Sequence, residues 1–136
     1  MNYLKWNLDT EEGIDVFDPL GDLKIYGDEG KLIEENTYLD AFFEALVEAS
    51  KSIEVGRSII VDPVVEPDNI EFNCKKDALE IIYGQQKTVV HDRKQFVEDV
   101  RQAVRELLRM LDEQSEFEKQ QKPKLSKLRN YLKEKT

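Results

Sequence analysis

Between residues 57 and 91 apolar and polar positions alternate in short runs, and two of the three breaks between the runs are only two or three residues long. This pattern constrains the fold more than any other. Residues 57–63 hold Ile59, Ile60 and Val61; residues 69–75 alternate Ile70, Phe72 and Cys74 with polar neighbours. Residues 78–83 put Leu79, Ile81 and Tyr83 on one face and Ile82 on the other, and residues 87–91 add Val89 and Val90. Period-two alternation is the mark of a half-buried strand. Parallel neighbours need a crossover of a dozen or more residues, so breaks such as Lys75-Lys76-Asp77 and Gly84-Gln85-Gln86 leave only an antiparallel meander. Pro63 and Pro67 bracket Val64-Val65-Glu66, where pairing must be interrupted because proline has no N–H to donate.

The segments around this meander follow two periods. Leu4, Trp6 and Leu8 alternate as in a strand, and residues 14–17 form a weaker strand candidate. Asp18-Pro19-Leu20-Gly21 reads as a turn. Leu23 and Ile25, the loop Gly27-Asp28-Glu29-Gly30 and the return at residues 31–34 read as a hairpin. Leu39, Phe42, Phe43, Leu46, Val47, Ser50 and Ile53 then recur every three or four residues, which predicts an amphipathic helix near residues 37–54. Asn36 or Thr37 is expected to cap it, with Thr37-x-x-Asp40 approximating a capping box, and Gly56 to end it. A second stripe of Phe96, Val97, Val100, Val104, Leu107, Leu108 and Leu111 predicts a helix from a cap at Asp92 to about Leu111 or somewhat beyond, with Gln95 three residues after the cap. Arg101, Arg105 and Arg109 repeat on its other flank, where Arg105 and Arg109 can reach Glu106, Asp112 and Glu113. After Pro123, Leu125, Leu128, Tyr131 and Leu132 keep helical spacing. The expected fold is α+β: an antiparallel sheet of about five to seven strands packed against two main amphipathic helices, plus a short C-terminal helix. Residues 1–114 are expected to form one domain and residues 115–136 a basic tail, mobile without a partner to dock on.

Charge separates the two ends of the chain. Over its 136 residues the net charge is −9, but residues 1–54 hold 14 acidic and 4 basic residues, a net of −10, and residues 115–136 hold 3 acidic and 7 basic, a net of +4. An acidic body argues against nucleic-acid and anionic-membrane partners, which require a basic footprint. The 40% of hydrophobic residues is enough for a folded core. No apolar stretch approaches the roughly 18 residues of a membrane span. Residues 1–9 carry no signal-peptide pattern, and the expected compartment is the cytoplasm. The single cysteine, Cys74, cannot form an intramolecular disulfide or a zinc cluster, and its alternation with Ile70 and Phe72 makes it a small core residue.

No motif specifies a chemistry. His91 is the only histidine, and its neighbour Asp92 would point to the opposite face of a strand, a poor geometry for orienting a general base. The pairs Glu11-Glu12, Asp28-Glu29 and Glu34-Glu35 are sequence neighbours, which does not place two carboxylates in one cleft. Asp18, Asp22 and Asp28 lack the spacing and central glycine of a calcium loop. Gly27-Asp-Glu-Gly30 lacks the ending of a phosphate cradle and would repel phosphate. No catalytic residue, cofactor or metal ligand is therefore expected. The distinctive feature is the run of carboxylates, either a solvated face or a docking surface for a basic protein. On the docking reading the candidate contact residues are Asp18, Asp22, Asp28, Glu29, Glu34, Glu35, Glu66 and Asp68.

The runs Leu23-Lys-Ile-Tyr-Gly-Asp-Glu-Gly, Thr37-Tyr-Leu-Asp-Ala-Phe-Phe-Glu-Ala-Leu, Val64-Val-Glu-Pro and Leu79-Glu-Ile-Ile-Tyr83, followed by Phe96 opening a Leu-rich helix, are similar in order and spacing to small acidic bacterial proteins. Some of these resemble immunity proteins of polymorphic or contact-dependent toxin systems; many have no assigned role. The resemblance spans about residues 20 to 112 and rests on hydrophobic patterns. It implies a non-catalytic cytosolic binder that blocks a toxin domain, and it carries over no particular contact residue. Two other expectations stand beside it: an oligomeric structural or accessory protein whose basic tail docks on the acidic body of a second copy, and a hydrolase-type enzyme with a cleft near His91.

Overall fold

The structure, a computed structural model, describes residues 3–11, 13–15, 17–117 and 125–134. Its elements run β1 (Leu4–Leu8), β2 (Leu20–Tyr26), β3 (Glu29–Tyr38), α1 (Leu39–Glu54), β4 (Ile59–Val61), β5 (Ile70–Lys75), β6 (Ala78–Tyr83), β7 (Gln86–Val90), α2 (Arg93–Phe117) and α3 (Ser126–Glu134). The fold is α+β. Seven strands make one antiparallel sheet in the order β1-β2-β3-β7-β6-β5-β4, with two long helices and a short C-terminal one.

The meander over β4–β7 forms as its spacing dictates, with two-residue breaks at Lys76-Asp77 and Gly84-Gln85. Lys76 and Gly84 both have positive φ, at 60° and 59°. The hairpin also forms: Tyr26 pairs with Lys31 across residues 27–30. Glu29 and Gly30 belong to a second ladder, paired with Val89 and Thr88 of β7. Those two pairs are the whole of the β3–β7 register. Past them the strands diverge, and the Gln86 side chain spans the gap, accepting from the Ile33 N–H at 2.8 Å and donating to the Ile33 carbonyl at 3.1 Å. The sheet is thus two ladders joined at one end of β3 and open at the other.

Apolar residues of every strand face the helices. Leu4, Leu23, Ile25, Leu32, Ile70, Phe72, Leu79, Ile81 and Val90 are buried with Phe42, Phe43 and Leu46 of α1 and Phe96, Val100 and Leu107 of α2. Edge-to-face pairs fix the contacts: Trp6 on Phe43 with centroids 5.6 Å apart, and Phe42 on Tyr83 at 5.8 Å. Such geometry suits the ring quadrupoles.

The helix ends show which local signals hold. Asp92 caps α2, its Oδ1 accepting the Gln95 N–H at 3.1 Å. Gly56 ends α1 with φ 76°: its N–H donates to Ile53 O and the Arg57 N–H to Ser52 O, the paired bonds of a Schellman motif. The expected cap at Asn36 or Thr37 is wrong. β3 continues through both residues to Tyr38, which occupies the cap position without a side-chain bond, and the Leu39 N–H is satisfied by the Pro19 carbonyl. A tertiary acceptor replaces the local cap, and Thr37 is drawn into the β2–β3 ladder, paired with Gly21. Of the weak strand candidate at 14–17, the described residues 14, 15 and 17 are not in a strand, and residue 16 lies outside the described residues.

α2 extends to Phe117, past the expected limit. Arg109 reaches Glu113 as expected, at 2.9 Å, while Arg105 turns to Gln102 at 3.5 Å. Asp112 is taken by the tail: Arg129 of α3 donates to it twice, at 3.1 and 2.7 Å. α3 packs on both α1 and α2, with Leu128 and Tyr131 fully buried, so the basic segment has its docking groove within its own chain.

Candidate functional site

The open end of the β3–β7 junction is filled by acidic residues. Glu34 lies on β3 beside the gap, half-buried, on the same face as Leu32. Tyr83 ends β6, and its ring is held in the core by Phe42. Its hydroxyl donates to Glu34 Oε1 at 3.0 Å. The proline-bounded loop between β4 and β5 brings Glu66 onto the same spot, where it accepts from the Thr37 hydroxyl at 3.3 Å. Asp68 follows against the β6–β7 turn. A Cβ at Gly84 would stand 2.8 Å from Asp68 Oδ2, so the carboxylate would have to shift to admit one.

Three carboxylates therefore converge on one phenol. None of the three is in an ion pair among the described residues. Burial raises the Glu34 carboxyl to about 7, aided by the hydrogen-bonding contact and negative charge of Glu66 and by the charge of Asp68, with the Tyr83 hydrogen bond pulling the other way. Burial and the Glu34 carboxylate hold the Tyr83 phenol above its ordinary range. Like charges in one half-buried site disfavour ionisation, and an incoming cation would reverse that.

The remaining carboxylates are elsewhere. At the hairpin tip, Asp28 Oδ2 accepts from the His91 N–H at 2.8 Å and from the Tyr3 hydroxyl at 3.0 Å. The His91 ring lies between Asp28, 3.8 Å away, and Glu29, 3.2 Å away. The carboxylates at His91 thus come from the β2–β3 hairpin, across the sheet. The bond from the His91 N–H is the main cause of a lowered Asp28 carboxyl. His91 is 62% exposed, on the surface of the hairpin tip. Asp22 spends its Oδ1 on the Asn36 N–H at 2.9 Å, where β2 is irregular between Gly21 and Leu23 and Asn36 has φ 54°. Asp18 is exposed in a turn, donating its N–H to Asp15, and Glu35 is exposed on β3. Of the eight candidates, the structure gathers Glu34, Glu66 and Asp68 into one cluster and Asp28 with Glu29 into another.

Sequence reasoning missed Tyr83 and Thr37. Tyr83 reads only as a core position, although a tyrosine ending an apolar strand carries a hydroxyl that must find a partner. Cys74 is half-buried against the core, and burial raises its thiol. A groove of about 630 Å³ runs between α1, α3 and the β4–β5 loop, lined by Ala41, Glu44, Glu48, Asp62, Val64 and Lys127 among others. Among the described residues no group of three or more His, Cys, Asp or Glu is arranged to hold a metal ion, and no helix is long and apolar enough to cross a membrane.

Fold and site together define an α+β domain with an acidic cluster, without an ion-pair partner among the described residues, at a split in its sheet. No family model, curated protein or solved structure matches the chain.

Proposed function

We propose that this chain is a non-catalytic protein-binding domain whose Glu34–Glu66–Asp68 face receives a lysine or arginine of a basic protein. One observation carries the reading: Glu34, Glu66 and Asp68 gather beside the Tyr83 phenol with no ion-pair partner among the described residues, and burial together with the neighbouring carboxylates raises Glu34 to about 7. A guanidinium or ammonium there would release the Glu34 proton and relieve the repulsion. Complementary potentials also speed association at low salt. The similarity of the hydrophobic pattern to immunity-type proteins makes a toxin domain the partner class we favour.

The test is affinity capture from the native cell lysate with the wild-type chain and with Glu34→Gln/Glu66→Gln/Asp68→Asn, read by mass spectrometry. A basic protein captured by the wild type, released by salt and lost with the triple variant is the expected result. Equal capture by both chains would remove the cluster from the function.

A further inference from the structure

The two edges of the sheet are finished differently. β1 closes one edge with Lys5, whose ammonium stands 5.3 Å from the Tyr26 ring centroid, and the Tyr3 N–H just before it is taken by Asp99 of α2 at 2.8 Å. β4 ends the other edge with Ile59, Ile60 and Val61. β5 pairs with one side of it. On the other side its main-chain groups take no partner among the described residues. Ile60 is 59% exposed, and Val55 and Val64 on either side of the strand are 68% and 80% exposed. An uncovered apolar edge is a template for another strand.

The charges flanking β4 select the strand. Arg57 precedes it and Asp62 follows it; both are exposed, and neither is in an ion pair among the described residues. A strand that is positive at its start and negative at its end complements a second copy of itself when the two run antiparallel. We propose that β4 pairs with β4 of a second copy about a two-fold axis normal to the sheet, joining two sheets into one. Such an axis keeps the faces of the two sheets aligned and passes through a pair of identical residues. With the axis at Ile60, the two exposed isoleucines cover each other. Asp62 of each copy then lies opposite Ser58 of the other, next to its Arg57. A seam over three residues is far smaller than the ~1,200 Å² lower bound of a standard stable interface, so the dimer belongs with weak, transient contacts.

Sedimentation equilibrium of the full chain, from micromolar to submillimolar concentration, tests this. The expected mass rises from 15.9 kDa toward twice that value. Ile60→Lys places like charges opposite each other at the axis and should raise the dissociation constant at least about tenfold. Arg57→Asp should weaken the dimer by about tenfold, and adding Asp62→Arg should restore it, with thermal melts showing each variant folded. A 15.9 kDa species at every concentration overturns the proposal, as does a dimer indifferent to both single variants. A dimer lost only when residues 125–136 are removed also overturns it, by moving the contact to α3.

Discussion

The two ends of β3 hold the same kind of residue in opposite circumstances. At the hairpin tip, Asp28 and Glu29 meet the His91 ring, and Asp28 accepts two further hydrogen bonds. At the open end of the strand, Glu34 meets Glu66 and Asp68, and the donors nearby are single hydroxyls, Tyr83 on Glu34 and Thr37 on Glu66. The first cluster meets an imidazole and two hydrogen-bond donors, and its aspartate is lowered; the second has no ion-pair partner among the described residues, and its glutamate is raised. Net charge alone could not have separated them. On the proposed reading, an acidic cluster receives a cation where the described residues supply hydroxyl donors and no ion-pair partner.

Three experiments break or sharpen this contrast. The largest effect is expected at Tyr83, which holds the open cluster to the core. Tyr83→Ala should cost about 3–5 kcal/mol in urea unfolding, since it removes a buried ring packed on Phe42. Tyr83→Phe keeps the ring and should cost only about 0.5–1.5 kcal/mol. Similar losses for both variants would show that the hydroxyl, rather than the packing, holds the site.

The next effect is one of pH. Glu34 has a folded value of about 7 against an ordinary value of 4.5. Between those values the folded chain keeps a proton that the unfolded chain has released, so stability falls as pH rises through this window. At the hairpin tip the sign is reversed: the lowered Asp28 carboxyl contributes stability above its unfolded value, lost as pH falls through the folded one. Glu34→Gln should therefore raise Tm above pH 7, leave it nearly unchanged below 4.5 and flatten the decline between. Thermal melts across that range decide it, and a Tm above pH 7 equal to that of the wild type would show that the cluster carries no strain.

The smallest effect is expected at His91, whose ring is mostly exposed. His91→Gln should change stability by less than about 1 kcal/mol, and less still at high salt. A larger loss in urea unfolding would mean that the tip is held together by its ion pairs, and the contrast between the clusters would then be one of degree.

Much of the fold is legible in the sequence because its determinants are local. The alternation of Ile70, Phe72 and Cys74, then of Leu79, Ile81 and Tyr83, with breaks too short for a crossover, leaves one arrangement for β5–β7. Asp92 and Gly56 act on N–H and carbonyl groups within a turn of themselves. Asn36 and Thr37 misled because a distant carbonyl, that of Pro19, satisfies the helix start in their place. Of the site, the acidic residue types are legible and their grouping is not. Glu34 and Glu35 are neighbours in the chain, yet Glu34 shares the face of Leu32 and the core while Glu35 is exposed.

The sequence by itself determined the element types, the meander and the acidic character of the body, since period, turn chemistry and charge reside in neighbouring residues. Only the tertiary structure decided which carboxylates are compensated, where the basic tail docks and which strand is left at the edge. Each of these depends on contacts between residues far apart in the chain: Glu34 with Tyr83, Asp112 with Arg129, β3 with β7. The two residue pairs between β3 and β7 place His91 beside Asp28 and Glu29, and beyond them the strands part to leave the opening in which Glu34, Glu66 and Asp68 meet.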